Sequence, residues 1–315
     1  MKIVCDKYIP FLADAVKKEW PNVLICPMEP EQIRTENIRD ADVLVVRTRT
    51  QVNEELLEGS NVRLVCTATI GFDHIDISWC ETHHIRWISC PGCNASAVRD
   101  YIEEVIDELF GFSVSLTVGV VGVGHVGSLV AQMAERRGLS VLLNDPPKNI
   151  GVSLDTIARQ CDVITFHTPL SKTGTSYPTY HLCDAHFLAA TKPHTLIINA
   201  ARGGVVDEQA LIKSGRPFVL DTWENEPHIH PEVTKSAILA TMHIAGYSWE
   251  GKRNATQMCL DAISDSFRLP PILLPLSIND GTIGDSDPGW IKRTSNTLKA
   301  HPEQFEFLRR HYALR

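Results

Sequence analysis

Three short segments in the second half of the chain carry side chains suited to acid–base chemistry on a small carboxylic acid. Arg202 lies in INAARGGVVDE, Glu226 in LDTWENEP and His243 in ATMHIAGY. A guanidinium binds a carboxylate through two parallel hydrogen bonds, whereas an imidazole accepts a hydroxyl proton near neutral pH. A neighbouring carboxylate orients and stabilises the imidazolium that forms. These residue types predict hydride removal from a 2-hydroxy acid, with Arg202 on the carboxylate, His243 as base and Glu226 as its partner.

A glycine-rich turn, GVGHVG, predicts the site of the hydride acceptor, because it follows an apolar run and opens a helical segment. In this G-x-G-x-x-G pattern Gly122 permits a tight turn, Gly124 lets the backbone approach a pyrophosphate, and Gly127 lets helix and strand pack closely. The helix that begins near His125 and Val126 offers its N-terminal N–H groups to the phosphates. The pattern predicts a dinucleotide site.

An acidic residue indicates which dinucleotide binds. Asp145 ends the next apolar run, eighteen residues after Gly127, where a carboxylate bonds the ribose 2′-hydroxyl and repels a 2′-phosphate. NAD is therefore predicted rather than NADP. Lys148 is expected to point to solvent, since it follows two prolines.

Two series of short apolar runs are available to position these groups. The first series is KIVCD, NVLICP, DVLVVRT, VRLVCTAT and IRWISC, and the second is TVGVVG, SVLLND, DVITFHT, TLIINA, PFVLD and AILATMH. Runs without polar alternation, separated by helical segments, are typical of parallel sheets covered on both faces. Helices are predicted from Ala95 to about Leu109 and from Ser248 to about Phe267. The fold class is α/β, with two Rossmann-like or flavodoxin-like parallel-sheet domains.

The domain organisation follows from these series. A substrate domain is predicted at residues 1–93 plus 248–267, and an NAD-binding domain at 94–247. The remaining residues, 268–315, are too few for a core of their own. They are predicted to form an arm that packs on the body or on a second subunit, with disorder as the alternative.

Composition excludes several classes of protein. Hydrophobic residues make up 43% and charged residues 22% of the 315, with a net charge of −8, so neither nucleic acid nor an anionic membrane is an expected partner. No apolar run reaches the ~18 residues of a membrane span, and the first residues lack the pattern of a signal peptide. The nine cysteines are expected to be reduced thiols of a cytoplasmic protein. No metal site is predicted, because only one C-x-x-C pair occurs.

That pair, Cys90 and Cys93 in CPGC, has two interpretations. It has the spacing of a redox dithiol, and a helix N-terminus lowers a thiol's pKa. Alternatively, Pro91-Gly92 makes a turn into the following helix and Asn94 caps it. The turn is the favoured interpretation.

A family resemblance accompanies these motifs. GVVGVGHVG, FHTPL, INAARGGVVDE, LDTWENEP and HIAGY resemble the NAD-dependent D-2-hydroxyacid dehydrogenases, from Met1 to about Phe267. The resemblance implies Arg202, Glu226 and His243 as catalytic residues. The positions that it implies around NAD are Asp145, Thr168, Ala200, Asp221 and Gly246, and those around substrate are Thr48, Thr69 and Tyr247.

Further motifs reduce the number of candidate substrates. RTRT, ATIGFDHID, PGCNASAV, NDPP and HIAGYSWEGK look most like a member of the family that oxidises a small phosphorylated 2-hydroxy acid and forms a homodimer. This resemblance implies that residues 268–315 are a short C-terminal dimerisation arm. A phosphate needs a cation besides Arg202, and Arg47 and Arg49 in VVRTRT are the candidates. Two alternatives remain: a related enzyme for 3-phosphoglycerate or for glyoxylate and hydroxypyruvate, and a non-catalytic NAD(H)-sensing protein.

Overall fold

The computed structural model describes residues 1–112, 115–174, 176–276 and 289–314. These residues form two compact units. Unit 1 contains residues 1–94 and 248–276, and unit 2 contains 95–247 and 289–314. The predicted C-terminal arm therefore divides between the units, and its role in dimerisation stays a prediction. Among the described residues, no helix combines the length and the apolar character needed to cross a membrane.

Unit 1 is built on a five-stranded sheet whose strands are all parallel. The strands are β1 (Lys2–Asp6), β2 (Leu24–Met28), β3 (Val43–Val46), β4 (Leu64–Thr67) and β5 (Arg86–Ile88), in the order β2-β1-β3-β4-β5. The helices are α1 (Leu12–Glu19), α2 (Thr35–Ile38), α3 (Glu54–Leu57), α4 (Ile77–Thr82) and, from the later segment, α11 (Trp249–Phe267).

Both faces of this sheet are covered. Every residue of β3 and β4 is buried, because alternate side chains point to opposite faces and each face has its own apolar cluster. One cluster includes residues of α1 and α11, and the other includes residues of α2, α3 and α4. All five strands predicted for this half, and the helix ending at Phe267, are present.

Unit 2 is built on a seven-stranded sheet with the order β12-β11-β10-β9-β6-β7-β8. The strands are β6 (Thr117–Val121), β7 (Ser140–Asp145), β8 (Ile150–Gly151), β9 (Val163–Phe166), β10 (Leu196–Asn199), β11 (Phe218–Leu220) and β12 (Leu239–Ala240). The helices are α5 (Ala95–Phe110), α6 (His125–Arg136), α7 (Leu154–Gln160), α8 (Ala185–Ala190), α9 (Glu208–Ser214), α10 (Pro231–Ser236), α12 (Trp290–Ala300) and α13 (Phe305–Arg310). Only β8 pairs antiparallel among these strands, as a short return after β7.

The strand order reverses beside β6, which has β7 on one side and β9 on the other. Ligands of open α/β sheets bind at the carboxyl ends of strands at such a switch point. Gly122 directly follows β6, and Thr168 comes two residues after β9. The predicted cofactor residues thus lie at the edge where this topology favours binding.

Helix α12 was not predicted from the sequence. Its buried side includes Thr294 and Ser295 as well as Trp290, Ile291 and Leu298, so polar residues interrupt the apolar pattern that identifies an amphipathic helix. The Ser295 hydroxyl accepts a hydrogen bond from the N–H of Ala240 at 2.9 Å, which satisfies a backbone donor of β12 that the sheet leaves open. The C-terminal segment is consequently part of the core of unit 2.

Candidate active site

The carboxylate of Glu226 and the imidazole of His243 form a hydrogen-bonded pair in unit 2. Nδ1 of His243 lies 2.7 Å from Oε2 of Glu226, and Oε1 of Glu226 accepts the N–H of Trp223 at 2.9 Å. The side chain of His243 is 31% exposed, so the ring is held on one side and remains accessible on the other. The two residues predicted as base and partner are brought together.

The ionisation of Glu226 determines which nitrogen of His243 can act as base. Burial works to raise the pKa of Glu226, but the hydrogen bond and charge of His243, the N–H of Trp223 and the charge of Arg309 outweigh it, so the pKa lies below its usual value. An ionised carboxylate only accepts hydrogen bonds, so Nδ1 must carry a proton. Nε2 is then left to accept a proton from a substrate hydroxyl.

Asp221 supports the loop that carries His243. Its Oδ1 accepts the N–H of Ile244 at 2.8 Å and the hydroxyl of Thr241 at 2.7 Å, while Oδ2 accepts the N–H of Ala245 at 2.9 Å. His243 itself has a φ of 58°, a left-handed conformation that is uncommon for a residue with a Cβ. The fully buried Asp221 therefore fixes the backbone in this strained conformation, and its predicted contact with NAD stays a prediction.

Arg202 lies on the loop after β10, and a glycine holds this loop close to its neighbour. The carbonyl oxygen of Arg202 accepts the side-chain amide of Asn199 at 2.9 Å, and its Nη1 donates to Ala201 O at 2.8 Å. A Cβ on Gly203 would lie 1.8 Å from Trp223 O, so only glycine permits this approach. Arg202 and Glu226 thus lie on two loops in direct contact, at the same edge of the sheet.

Trp223 is a site residue that the sequence reasoning missed. Its indole N–H donates to Thr241 O at 2.8 Å and its backbone N–H binds Glu226. The residue is 2% exposed, and a buried tryptophan requires a partner for its N–H. Its position between LDT and ENEP is the only signal in the sequence.

The glycine turn fits a bound dinucleotide. A Cβ on Gly127 would lie 1.9 Å from Gly122 O, and one on Gly122, whose φ is 90°, would lie 2.8 Å from the carbonyl of His167. At Gly124 a Cβ would meet no atom within 4 Å, so the space above the N-terminus of α6 is open to a phosphate. His125 and Val126 begin that helix.

Asp145 and Thr168 flank this turn. Asp145 accepts the N–H of Val123 through Oδ2 at 2.8 Å, which leaves Oδ1 available to a ribose hydroxyl. The hydroxyl of Thr168 is buried and has no hydrogen-bond partner among the described residues, an arrangement that costs free energy unless a ligand supplies one. Lys148 is exposed, as expected, and its ammonium also donates to Val123 O at 2.6 Å, which braces the turn.

Comparison with known proteins places this site in a family. The sequence profile described as "D-isomer specific 2-hydroxyacid dehydrogenase, NAD binding domain" matches residues 109–245. The erythronate-4-phosphate dehydrogenase of Bacteroides fragilis (strain YCH46) is 40% identical over 342 aligned positions, which cover 100% of this chain and 97% of the relative. The chain belongs to the D-2-hydroxyacid dehydrogenase family.

Other family members agree with this assignment. The erythronate-4-phosphate dehydrogenase of Coxiella burnetii (strain RSA 331) is 37% identical, with 100% of this chain and 93% of the relative covered. The NAD⁺-bound 3-phosphoglycerate dehydrogenase of Entamoeba histolytica shares the fold, with a TM-score of 0.69 at 24% identity over 88% of this chain and 99% of the other. The family resemblance, the fold class and the NAD assignment made from the sequence are confirmed.

The remaining positions predicted to bind the cofactor lie at the same edge of unit 2. Ala200 directly follows β10, and Gly246 lies between the His243 loop and Tyr247. Desolvation lowers the pKa of His167 to about 3 although part of the residue stays in contact with solvent, so this ring is neutral, and its Nε2 lies 3.0 Å from the hydroxyl of Thr165.

Three of the predicted substrate residues lie in unit 1. Arg47 and Thr48 follow β3, and Thr69 follows β4, so all three are at the carboxyl edge of the five-stranded sheet. Arg47 donates to both oxygens of Asp6, at 2.8 and 3.3 Å, and Thr69 donates to Gly71 O at 2.8 Å. Arg49 and Thr48 are exposed. Their contacts with substrate stay predictions.

The thiols of the CPGC motif are packed inside unit 1. Sγ of Cys90 lies 3.3 Å from the carbonyl oxygens of Thr67 and Ala255 and 3.8 Å from Sγ of Cys259. The hydrogen bond with Cys259, together with burial, raises the pKa of Cys90, and burial raises the pKa of Cys93 to about 12. The thiolate is the reactive form, so this environment suits the interpretation as a turn.

Three acidic residues, Asp207, Glu208 and Glu224, lie near Glu226. Burial first, and then the charges of Glu224, Glu226 and Asp207, raise the pKa of Glu208 to about 7. Among the described residues, the ligand atoms of His181, Asp207 and Glu224 lie within 4.8 Å of one another. Nε2 of His181 is 3.0 Å from Glu224 and Nδ1 is 3.6 Å from Asp207, so the imidazole lies between the two carboxylates. The expected absence of a metal stays a prediction.

Proposed function

We propose that this chain oxidises 4-phospho-D-erythronate at C2 with NAD, giving 3-hydroxy-2-oxo-4-phosphooxybutanoate, a step in the synthesis of pyridoxal 5′-phosphate. The hydrogen bond between Glu226 and His243 carries the chemistry of this proposal. The substrate is supported by 40% identity over the full chain to a protein named for erythronate 4-phosphate. The comparisons give less support to the two alternatives, a family member for another 2-hydroxy acid and a non-catalytic NAD(H)-sensing protein.

The chain's own residues supply binding and proton transfer. Arg202 binds the substrate carboxylate through its guanidinium fork and so orients C2. Nε2 of His243 accepts the C2 hydroxyl proton, and the imidazolium that forms is stabilised by Glu226. NAD supplies the hydride acceptor when it is bound by Gly122, Gly124, Gly127, Asp145 and Thr168.

A substrate panel tests the proposal. The purified protein is given NAD and, in separate assays, 4-phospho-D-erythronate, 3-phospho-D-glycerate, D-glycerate and D-lactate, and NADH formation is followed. We expect the highest kcat/KM with 4-phospho-D-erythronate. A higher kcat/KM with another acid would contradict the substrate assignment, and NAD binding without turnover of any acid would favour the non-catalytic alternative.

We further propose that the enzyme acts in the cytoplasm as a homodimer. All nine cysteines lie among the described residues and are free thiols, which suits a reducing compartment. Light scattering during size-exclusion chromatography tests the dimer: a mass near 35.1 kDa, that of one chain, would contradict it.

A further inference from the structure

An arginine near the C-terminus lies beside a predicted substrate residue of unit 2. Cζ of Arg309, on α13, is 5.7 Å from the centroid of the Tyr247 ring. The helix is anchored by Phe305, which is fully buried in the core of the same unit. The guanidinium is therefore positioned by the fold rather than by a loose end of the chain.

The positive charge of Arg309 acts on the pair formed by Glu226 and His243. It is one of the causes that lower the pKa of Glu226, which in turn binds His243 at 2.7 Å. A positive charge that acts on Glu226 also acts on an anion bound beside the pair, because such interactions are strong where water is partly excluded.

Part of the hydrogen-bonding capacity of Arg309 is unused. Its Nε is buried and has no hydrogen-bond partner among the described residues, and its Nη1 is 3.9 Å from Glu306 Oε2, too far for a hydrogen bond. A guanidinium offers five N–H donors, and a buried donor without an acceptor costs free energy. Its neighbour Arg310 differs, since Nε of Arg310 donates to Glu306 Oε1 at 2.7 Å and the side chain is 55% exposed.

We propose that Arg309 is a substrate-binding residue that recognises the phosphate of the hydroxy acid, while Arg202 binds its carboxylate. This inference rests on the proposed function, because it needs a substrate with an anionic group at each end. A phosphate dianion provides the acceptors that the guanidinium fork fits. Arg47, one of the two candidates from the sequence, already binds both oxygens of Asp6, so its charge is largely compensated within unit 1.

The test compares phosphorylated and unphosphorylated ligands in two matched variants, Arg309→Met and Arg310→Met. Methionine keeps an unbranched apolar stem and removes the charge. The Kd of 4-phospho-D-erythronate and of D-erythronate is measured by calorimetry on the full chain saturated with NADH, where no turnover occurs. In Arg309→Met we expect the Kd for the phosphorylated acid to rise about 10- to 100-fold, well beyond any change for D-erythronate. In Arg310→Met we expect both Kd values to match the unaltered protein.

Equal weakening of both ligands in Arg309→Met, or no weakening of the phosphorylated one, would overturn the inference. If Arg309→Met does not fold, as judged by its Tm, Arg309→Lys and Arg310→Lys replace the pair, and only the former should weaken binding of the phosphorylated acid. Failure of the proposed function has a different result, since the unaltered protein would then not oxidise 4-phospho-D-erythronate. In that case the protein would be assayed with whichever 2-hydroxy acid it does oxidise. Inhibition of that reaction by inorganic phosphate would still test the role of Arg309.

Discussion

Glu226 and His243, 17 residues apart in the sequence, meet with 2.7 Å between Oε2 and Nδ1. The contact assigns the two ring nitrogens different roles, because the carboxylate fixes the proton on Nδ1. Nε2 is the nitrogen available to a substrate. The chemistry of the site depends on this contact, and the first two predictions address it.

Replacing His243 by glutamine should remove the proton acceptor and keep a side chain of similar polarity. We expect kcat/KM to fall about 10²- to 10⁴-fold, the range for loss of a general base, with little change in the Kd for NADH. Stopped-flow kinetics and NADH fluorescence measure the two quantities. The exposed His228 provides the control, since His228→Gln should retain full activity. Retained activity in His243→Gln would show that His243 is not the proton acceptor.

Replacing Glu226 by glutamine should lower kcat by about 10²- to 10⁴-fold, because an amide neither fixes the tautomer nor stabilises the imidazolium. The substitution should also change how the free energy of unfolding depends on pH. The pKa of Glu226 lies below its ordinary value of 4.5 in the folded protein, so the carboxylate adds stability above that value and loses it as the pH falls through the folded-state pKa.

Thermal melts of Glu226→Gln and the unaltered protein should therefore differ most near neutral pH and converge in acid. Glu232→Gln, at an exposed position, serves as control and should follow the unaltered protein at every pH. A difference in Tm that grows as the pH falls would contradict the assigned direction of the pKa shift.

Substitutions at two glycines of the cofactor turn should affect NAD binding and folding stability differently. In Gly124→Ala the new Cβ meets no atom of the protein, so we expect an unchanged Tm and a Kd for NAD weakened about tenfold or more, or ~1.4 kcal/mol, because the methyl group enters the space for the phosphates. In Gly127→Ala the Cβ would lie 1.9 Å from Gly122 O, so both Tm and affinity should fall. Unchanged NAD affinity in Gly124→Ala would show that the phosphates bind elsewhere.

Glu208→Gln should stabilise the protein at alkaline pH. The folded-state pKa of about 7 exceeds the ordinary value of 4.5, so Glu208 binds its proton more tightly when folded, and stability falls as the pH rises between these values. Above the upper value, ionisation of Glu208 costs about 3 kcal/mol of stability. The glutamine can still accept the N–H of Glu224, which binds Oε1 of Glu208 at 2.7 Å.

Calorimetric melts at two pH values measure this effect. We expect Glu208→Gln to raise the Tm by roughly 5 °C near pH 8 and to have little effect near pH 5, where Glu208 is protonated in the folded protein. An increase of equal size at both pH values would show that ionisation of Glu208 is not its cause.

The sequence by itself determined the parallel sheets, the glycine turn and the order of Arg202, Glu226 and His243 behind their strands. Apolar runs and turn-forming residues act over a few neighbouring positions, so their pattern can be read along the chain. Even there, polar residues on a buried face concealed α12.

Only the tertiary structure decided the partners of the individual polar groups. It placed Cys90 against Cys259, used Asp221 to hold the loop of His243, and brought Arg309 from the end of the chain to Tyr247. Such contacts join residues far apart in sequence, and packing selects among many polar groups that local patterns leave equivalent. A carboxylate that caps a loop and one that orients a base look alike in a sequence, because the difference lies in which N–H groups the folded chain brings to each oxygen.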